Sequence, residues 1–232
     1  MVRRMEIRIE SLLEGAQRAS GSVAVIDVLR AFTTVAVALD RGASHIVMVA
    51  SVDEVLALRD RGVGHYCMGE TGGHKPPAFD FGNSPFEMST ADVRGKILLQ
   101  RTSAGTQGMV AAASRAAHLF AASLVTATAT ARALRAAGAD PITLVAMGDS
   151  GLARTVEDEL CALHLRARLL GRMGDPSATA ALIRASGDAE RFRDPGKPHL
   201  DPRDLDIAVD VDRYDFALRA TIEDGRPVVR RR

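Results

Sequence analysis

The stretch Val23-Ala-Val-Ile-Asp-Val-Leu-Arg-Ala-Phe-Thr-Thr34 decides the fold of this 232-residue chain. Its apolar, β-branched run from Val23 to Val28 is typical of a strand that is buried on both faces of a parallel sheet. A helix is predicted to follow from about Arg30 to Asp40, and Gly42 is placed to end it in a left-handed conformation. Because a strand that leads directly into a helix is the repeating unit of α/β proteins, this stretch sets the expected fold class.

Outward from this unit, strands and helices alternate along most of the chain. Further strands are predicted at Met5–Glu10, His45–Ala50, His65–Glu70, Lys96–Thr102, His118–Ser123 and Pro141–Met147. Further helices are predicted after Ser51, after Ser103, and at Leu124–Ala137, Val156–Leu170 and Pro176–Ser186. The repeated units predict an α/β fold of three layers, with a largely parallel sheet and helices on both faces. Residues 1–232 are expected to form one unit, and the one candidate subdivision falls near residues 171–180.

Four segments depart from the alternation. Ser11–Ser20 fits either a short helix or a loop. Thr71–Ser89 is rich in glycine and proline but holds three phenylalanines, so we expect an ordered functional loop. Asp206–Asp212 alternates like a strand. A terminal hairpin is predicted at Ala220–Val229, because Asp224-Gly225 is a favoured hairpin turn.

Composition excludes several classes of function. The formal net charge is +1 and the aromatic content is 4%, which gives no basis for nucleic-acid binding or for attraction to a membrane surface. Charged residues in the first nine positions argue against a signal peptide, and no apolar run approaches the roughly 20 residues of a membrane span. Cys67 and Cys161 lack metal-ligand spacing and are expected to be buried free thiols. The sequence therefore predicts a cytoplasmic protein.

Charged side chains follow the predicted strands and start the predicted helices. The acids among them are Asp27, Glu70, Asp80, Glu157 and Asp158, and Arg30 lies three residues after the first of these. Ligands bind at this edge of open α/β sheets, and clustered carboxylates suit Mg²⁺ better than zinc. Each residue also has a structural explanation, because Asp27 and Arg30 could form a local ion pair and acids in the first turn of a helix are favoured by its dipole.

The segment Ser103-Ala-Gly-Thr106 follows a predicted strand and opens a helix. Backbone N–H groups in that context can bind phosphate, although an ordinary strand-to-helix turn would have the same sequence. No Gly-Lys-Ser/Thr follows, so this is not a nucleotide-binding P-loop. His74 and Lys75, in the long loop, could reach an anion.

Five motifs occur in one order along the chain: Asp27-Val-Leu-Arg-Ala31, Gly69-Glu70, Phe79-Asp-Phe-Gly-Asn-Ser-Pro85, Thr102-Ser-Ala-Gly-Thr106 and Glu157-Asp-Glu-Leu-Cys-Ala162. Together they resemble the 2-phosphosulfolactate phosphatase family, Mg²⁺-dependent phosphatases of the coenzyme M pathway. The resemblance implies an α/β fold of the family's own type and hydrolysis of the phosphate ester of a small 2-hydroxy acid. It implies catalytic roles for Asp27 and Arg30, and a metal site drawn from the five acids. The substrate-binding residues it implies are Asn83, Ser84, Ser103, Gly105 and Thr106.

Two positions depart from the family pattern. Thr71 stands where Gly-Glu-Arg usually has its arginine, and Ala104 stands where Thr-Asn-Gly-Thr usually has its asparagine. Both changes predict a weaker grip on a second anionic group of the substrate. The sequence therefore leaves open a non-catalytic protein that binds a small anion and kept the fold, and it leaves open a homo-oligomer.

Overall fold

A computed structural model describes residues 5–232; Met1–Arg4, whose charges entered the signal-peptide prediction, lie outside the described residues. Nine strands form one sheet in the order β1-β7-β2-β6-β8-β9-β3-β5-β4. The strands are β1 Ile7–Ser11, β2 Gly21–Ile26, β3 His45–Met48, β4 Tyr66–Gly69, β5 Ile97–Arg101, β6 Ala116–Ala122, β7 Ile142–Ala146, β8 Leu218–Glu223 and β9 Arg226–Arg231. Helices cover both faces, so the predicted three-layer α/β class is confirmed.

The helices lie between the strands and in the C-terminal third of the chain. They are α1 Leu12–Arg18, α2 Ala31–Asp40, α3 Val52–Asp60, α4 Pro85–Thr90, α5 Gly105–Ala112, α6 Ala127–Ala137, α7 Val156–Leu169, α8 Pro176–Arg184, α9 Gly187–Glu190 and α10 Pro202–Ala208. Short 3₁₀ turns lie at Leu124–Thr126 and Arg191–Arg193. No helix within residues 5–232 combines the length and the apolar character that crossing a membrane requires.

Strand β2 and helix α2 confirm the unit predicted from the quoted stretch. Successive side chains of a strand point to opposite faces, and Val23 and Val25 enter one hydrophobic core while Ala24 and Ile26 enter the other. Both cores are therefore filled from one strand, which explains its unbroken apolar character. Gly42 has φ +91°, as its predicted place after the last turn of α2 requires.

The sheet consists of two parallel blocks joined by an antiparallel hairpin. The blocks are β1-β7-β2-β6 and β3-β5-β4. The hairpin β8–β9 turns at Asp224-Gly225, where both residues have positive φ, and it pairs antiparallel with β6 on one side and β3 on the other. The predicted hairpin is thus confirmed, and the C-terminus closes the middle of the sheet.

Two assignments from the sequence are corrected. Residues 206–212 were expected to form a strand, but they contain the end of α10 and a turn. The start signals of this helix are Asp201, whose Oδ1 accepts the N–H of Arg203, and Pro202 in its first turn. The second correction lies in the long loop, which ends in helix α4, capped by Ser84 accepting the N–H of Glu87.

Smaller expectations are also settled. Ser11–Ser20 contains a helix, α1. The helix after Ser103 was expected to run to about Ala117, but α5 ends at Ala112 because β6 already begins at Ala116. Cys67 and Cys161 are buried free thiols, as predicted.

Candidate active site

One cavity of ≈ 340 Å³ lies at the carboxyl ends of the parallel strands. Asp27 enters it after β2, Glu70 after β4, Ser103 after β5 and Asp149 after β7. Residues at the start of α7 and residues from the segment 188–200 also line the cavity. The parallel strands of both blocks therefore contribute to one site at the edge where α/β sheets bind ligands.

Asp27, Glu157 and Asp158 are buried in the cavity lining, and we call these three residues the acid wall. Burial raises the pKa of Asp27 to about 6, and repulsion from Glu70 adds to the rise. The N–H groups of Ala31 and Gly105 oppose the rise by donating to the Asp27 carboxylate. Asp27 is therefore held in a fixed orientation by backbone donors at the starts of two helices.

Gly105 explains how α5 comes so close to Asp27. A Cβ atom at this position would lie 2.8 Å from Asp27 Oδ2 and 3.0 Å from the Cβ of Ala31 and the ring of Phe32. Only a residue without a side chain lets the helix start reach the carboxylate.

Asp158 ties the acid wall to the sheet. Its Oδ1 accepts the N–H of Val28 at 2.8 Å, and its Oδ2 accepts the N–H of Gly148 at 2.8 Å. Burial raises its pKa well above the usual range, and repulsion from Glu157 and Asp27 raises it further. This carboxylate joins the start of α7 to the ends of the neighbouring strands β2 and β7.

Glu157 is the member of the acid wall with the fewest partners. Its side chain is buried, and its Oε2 has no hydrogen-bond partner within the described structure. Burial raises its pKa to about 7, and the charges of Asp188 and Asp27 contribute to the rise. A positive charge placed here would give Glu157 Oε2 a partner and would offset the repulsion from Asp188 and Asp27.

Glu70 holds together another part of the cavity lining. One oxygen, Oε1, accepts the N–H of Ser103, while Oε2 accepts the N–H of Gly73 at 2.7 Å and the hydroxyl of Ser103 at 3.0 Å. The Ser103 hydroxyl in turn accepts the N–H of Gly72 at 3.1 Å. These bonds fasten the glycine-rich turn after β4 to the turn after β5.

Arg30 fastens the C-terminal segment to the sheet. Its Nη1 donates to Asp204 Oδ2 at 2.8 Å and to the carbonyl of His199 at 3.1 Å, and both Arg30 and Asp204 are buried. The other oxygen of Asp204 accepts from the Ser84 hydroxyl and the Phe86 N–H. Arg30 therefore lines the cavity and also holds the segment that closes it.

Four basic side chains also line the cavity, and we call them the basic rim. They are His74 from the long loop and Arg191, Lys197 and His199 from the C-terminal segment. The rings of His74 and His199 lie 4.0 Å apart between centroids. Burial lowers the pKa of His199, and the neighbouring positive groups, including Lys197 and Arg191, lower it further.

The structure brings most of the predicted site residues to this cavity but leaves four outside its lining. Those that line it are Asp27, Arg30, Glu70, Asn83, Ser103, Glu157 and Asp158. Their roles in metal binding or catalysis stay predictions. The four outside are Asp80, Ser84, Gly105 and Thr106, and each is engaged within the protein.

The local bonds explain why these four residues do not face the cavity. The exposed Asp80 accepts the N–H of Cys67 at 2.7 Å, and the Ser84 hydroxyl donates to Asp204. Thr106 exchanges hydrogen bonds with Thr102 through both its hydroxyl and its N–H. The N–H of Gly105 points to Asp27. The amides of Gly105 and Thr106 therefore have partners within the protein, and their role in binding phosphate stays a prediction.

The basic rim is the part of the site that the sequence did not indicate, apart from His74. Arg191, Lys197 and His199 lie in a segment without periodic pattern, and no motif marks them. The available signal was the charged, proline-interrupted character of residues 188–204. That composition predicts surface and loop. It does not show the long-range bonds that bring the segment over the cavity, such as those of Arg30 to His199 and Asp204 and that of Asp188 to the N–H of Val156.

The carboxylates fit a hard divalent cation, with a small number of protein ligands. Glu157 Oε2 is buried without a partner, and Asp27 carries a raised pKa in the same cavity. Among residues 5–232, no three His, Cys, Asp or Glu side chains converge into a ready-made cage. Mg²⁺ at phosphoryl-transfer sites is usually held by one or two carboxylates together with water and substrate phosphate, so this arrangement suits it.

Fold and cavity together define an α/β protein with a charged small-ligand site at the strand ends of its sheet. The profile of the family described as 2-phosphosulpholactate phosphatase matches residues 8–192. The chain therefore belongs to that family, as the five motifs predicted.

Relatives agree with this assignment. A protein of Thermus thermophilus is 39% identical over 66% of this chain and 63% of its own length, and one of Deinococcus radiodurans is 37% identical over 65% and 62%. A Bacillus subtilis protein is 32% identical over 89% of this chain and 90% of its own length. Each is named a probable 2-phosphosulfolactate phosphatase. The chain matches less than two thirds of the length of the first two relatives.

Proposed function

We propose that this protein is a Mg²⁺-dependent phosphatase that hydrolyses the phosphate ester of a small 2-hydroxy acid, with 2-phosphosulfolactate as its substrate. Family membership and the names of the relatives support the reaction class and this substrate. The cavity is compatible in size with a small ligand, and its lining carries both acidic and basic groups.

The observation that carries the proposal is that the buried acid wall and several basic side chains line one cavity. Three buried carboxylates with raised pKa values are costly to keep close together, and such costs are typical of functional sites. A bound cation would offset that cost. The resident Mg²⁺ would be held by Asp27 and Glu157 and would draw charge from the phosphoryl oxygens.

The side chains of this site have distinct tasks in the proposed reaction. Asp27 either attacks phosphorus, so that a phospho-aspartate forms as the ester P–O bond breaks, or orients the water that attacks instead. In the first route a water molecule then hydrolyses the phospho-aspartate, which releases phosphate and restores the Asp27 carboxylate; in the second route the attack by water releases phosphate directly. In both routes the hydroxy acid leaves with a proton. Arg30 contributes positive charge at the cavity wall, and Asn83 Oδ1, which is buried without a hydrogen-bond partner, is available to accept a hydrogen bond from the substrate or from a bound water.

The test is a phosphate-release screen over small phosphorylated hydroxy acids, with Mg²⁺ and after treatment with EDTA. We expect release from 2-phosphosulfolactate that EDTA abolishes and Mg²⁺ restores, with Mn²⁺ as a substitute. Acid-quenched samples analysed by intact mass separate the two routes, because a phospho-aspartate adds the mass of one phosphoryl group. Full activity after exhaustive chelation would rule out the metal dependence.

A non-catalytic anion-binding protein is the competing function, favoured by Thr71 and Ala104 standing where the family pattern has an arginine and an asparagine. The same screen decides between them. Binding of 2-phosphosulfolactate without any phosphate release would establish the binding protein.

A further inference from the structure

Two cations of the basic rim are only weakly paired within the protein, whereas Arg30 is firmly paired. Arg30 is buried and paired with Asp204 at 2.8 Å. Arg191 meets Asp149 through Nη1 at 3.3 Å, and Lys197 meets Asp194 at 3.8 Å, with all four side chains partly exposed. Exposed pairs of this kind stabilise a protein little and exchange partners readily. Both cations can therefore turn to a ligand in the cavity.

The members of the basic rim lie close to one another. Arg191, Lys197 and His199 come from one segment, which Arg30 fastens through the His199 carbonyl. His74 faces His199 from the long loop. The rim is thus a group of donors in the same cavity lining, where positive groups crowd one another and an anion would be stabilised.

The two positions that depart from the family pattern do not remove this group. Thr71 is exposed, its hydroxyl accepts from Arg101 Nη1 at 2.9 Å, and it does not line the cavity. Ala104 lines the cavity but offers no charge. A second anionic group of the substrate therefore has cations to meet that come from another part of the chain.

We infer that the basic rim binds the carboxylate or sulfonate end of the substrate while the acid wall, through its cation, takes the phosphate. This inference rests on the proposed function for the assignment of the phosphate. It makes the substrate class a phosphate ester with at least one further acid group. Lys197 and His199 lie beyond residues 8–192, the stretch matched by the family profile, so the specificity residues extend past it.

The test removes two cations of the rim, one at a time, with Arg191→Met and Lys197→Met. Arg193→Met is the matched control, because Arg193 is exposed, lies two residues from Arg191 and does not line the cavity. Each variant is assayed on 2-phosphosulfolactate, on phospholactate and on phenyl phosphate, which has no acid group besides its phosphate.

We expect Arg191→Met and Lys197→Met to raise KM for the two acid-bearing esters about 10-fold or more, as the loss of a charge-assisted hydrogen bond does. The accompanying fall in kcat/KM should be at least about five times smaller for phenyl phosphate. An equal fall for all three esters, or no fall in any, would overturn the inference.

Calorimetric binding of sulfolactate, the dephosphorylated product, keeps this test separate from the test of catalysis. If no ester is hydrolysed, the proposed function fails, but the rim is still supported when sulfolactate binds wild type and Arg193→Met and is lost in Arg191→Met. The rim assignment is overturned if wild type does not bind sulfolactate, or if all variants bind it equally.

Discussion

The acid wall and the basic rim are built in opposite ways. The acid wall comes from strand ends and a helix start, is buried, and is held by backbone N–H groups within the sheet edge. The basic rim comes mainly from an irregular segment and is partly exposed. That segment is held by the bonds of Arg30 to Asp204 and to the His199 carbonyl, and by Asp188 accepting the N–H of Val156. The acid wall is thus fixed in position, and its buried carboxylates destabilise the protein by repelling one another. The basic rim is partly exposed and adds little such repulsion, so its side chains can adjust to a substrate.

Removing the charge of Asp27 should have the largest effect. Asp27→Asn is nearly isosteric, but it loses the negative charge that a nucleophile or metal ligand needs, so we expect kcat to fall by about 1,000-fold or more in a folded protein. Asp80→Asn is the matched control, because Asp80 also accepts a backbone N–H but lies outside the cavity lining. Near-normal kcat in a folded Asp27→Asn, measured by phosphate release, would refute the role.

Gly105→Ala tests the close approach of α5 to the wall. The added Cβ would press on Asp27 Oδ2 and on helix α2, so we expect kcat/KM to fall by about 10- to 100-fold and the thermal midpoint to drop. Gly187→Ala, whose Cβ would meet nothing within 4 Å, should change neither. Wild-type activity in Gly105→Ala would show that the Asp27 position does not depend on this contact.

The raised pKa of Glu157, about 7, makes stability depend on pH. The folded state holds this proton more tightly than the unfolded state, so the wild type loses stability as pH rises from about 4.5 through 7. Glu157→Gln should therefore be more stable than wild type at pH 8 by about 1 kcal/mol or more, roughly 2–4 °C, and no more stable near pH 4.5.

Thermal melts at both pH values check this expectation. Glu159→Gln, in the same helical turn but outside the cavity lining, should show no such gain. Mg²⁺ should raise the midpoint of wild type at pH 8 more than that of Glu157→Gln. Equal midpoints of wild type and Glu157→Gln at pH 8 would contradict the cost assigned to this carboxylate.

The departures from the family pattern should have the smallest effect. Because Thr71 does not line the cavity and its hydroxyl is bonded to Arg101, Thr71→Arg is expected to change the ratio of kcat/KM for phosphosulfolactate and phospholactate by no more than about 3-fold. Ala104→Asn, which adds an amide to the lining, should change the ratio more. A large gain in sulfonate preference from Thr71→Arg alone would favour the expectation drawn from the sequence and count against the basic rim.

The comparison of the acid wall and the basic rim also explains what the sequence could predict. The acid wall was predictable because Asp27 follows an apolar run that can only be a buried strand, and parallel strand ends meet at one edge. The sequence did not show that Asp80 and Thr106 lie outside the cavity lining, because their motif names the residue but not which of its neighbours takes its hydrogen bond. The basic rim and the central place of the hairpin depend on contacts between residues more than 60 positions apart, which no local pattern carries.

The most direct test of this division of labour is a calorimetric comparison of two ligands on two variants. Inorganic phosphate with Mg²⁺ should bind Glu157→Gln about 10-fold or more weakly than wild type, while sulfolactate binding changes by less than about 3-fold. Arg191→Met should show the reverse pattern. If either variant weakens both ligands equally, the wall and the rim do not act on separate groups of the substrate, and the account is wrong.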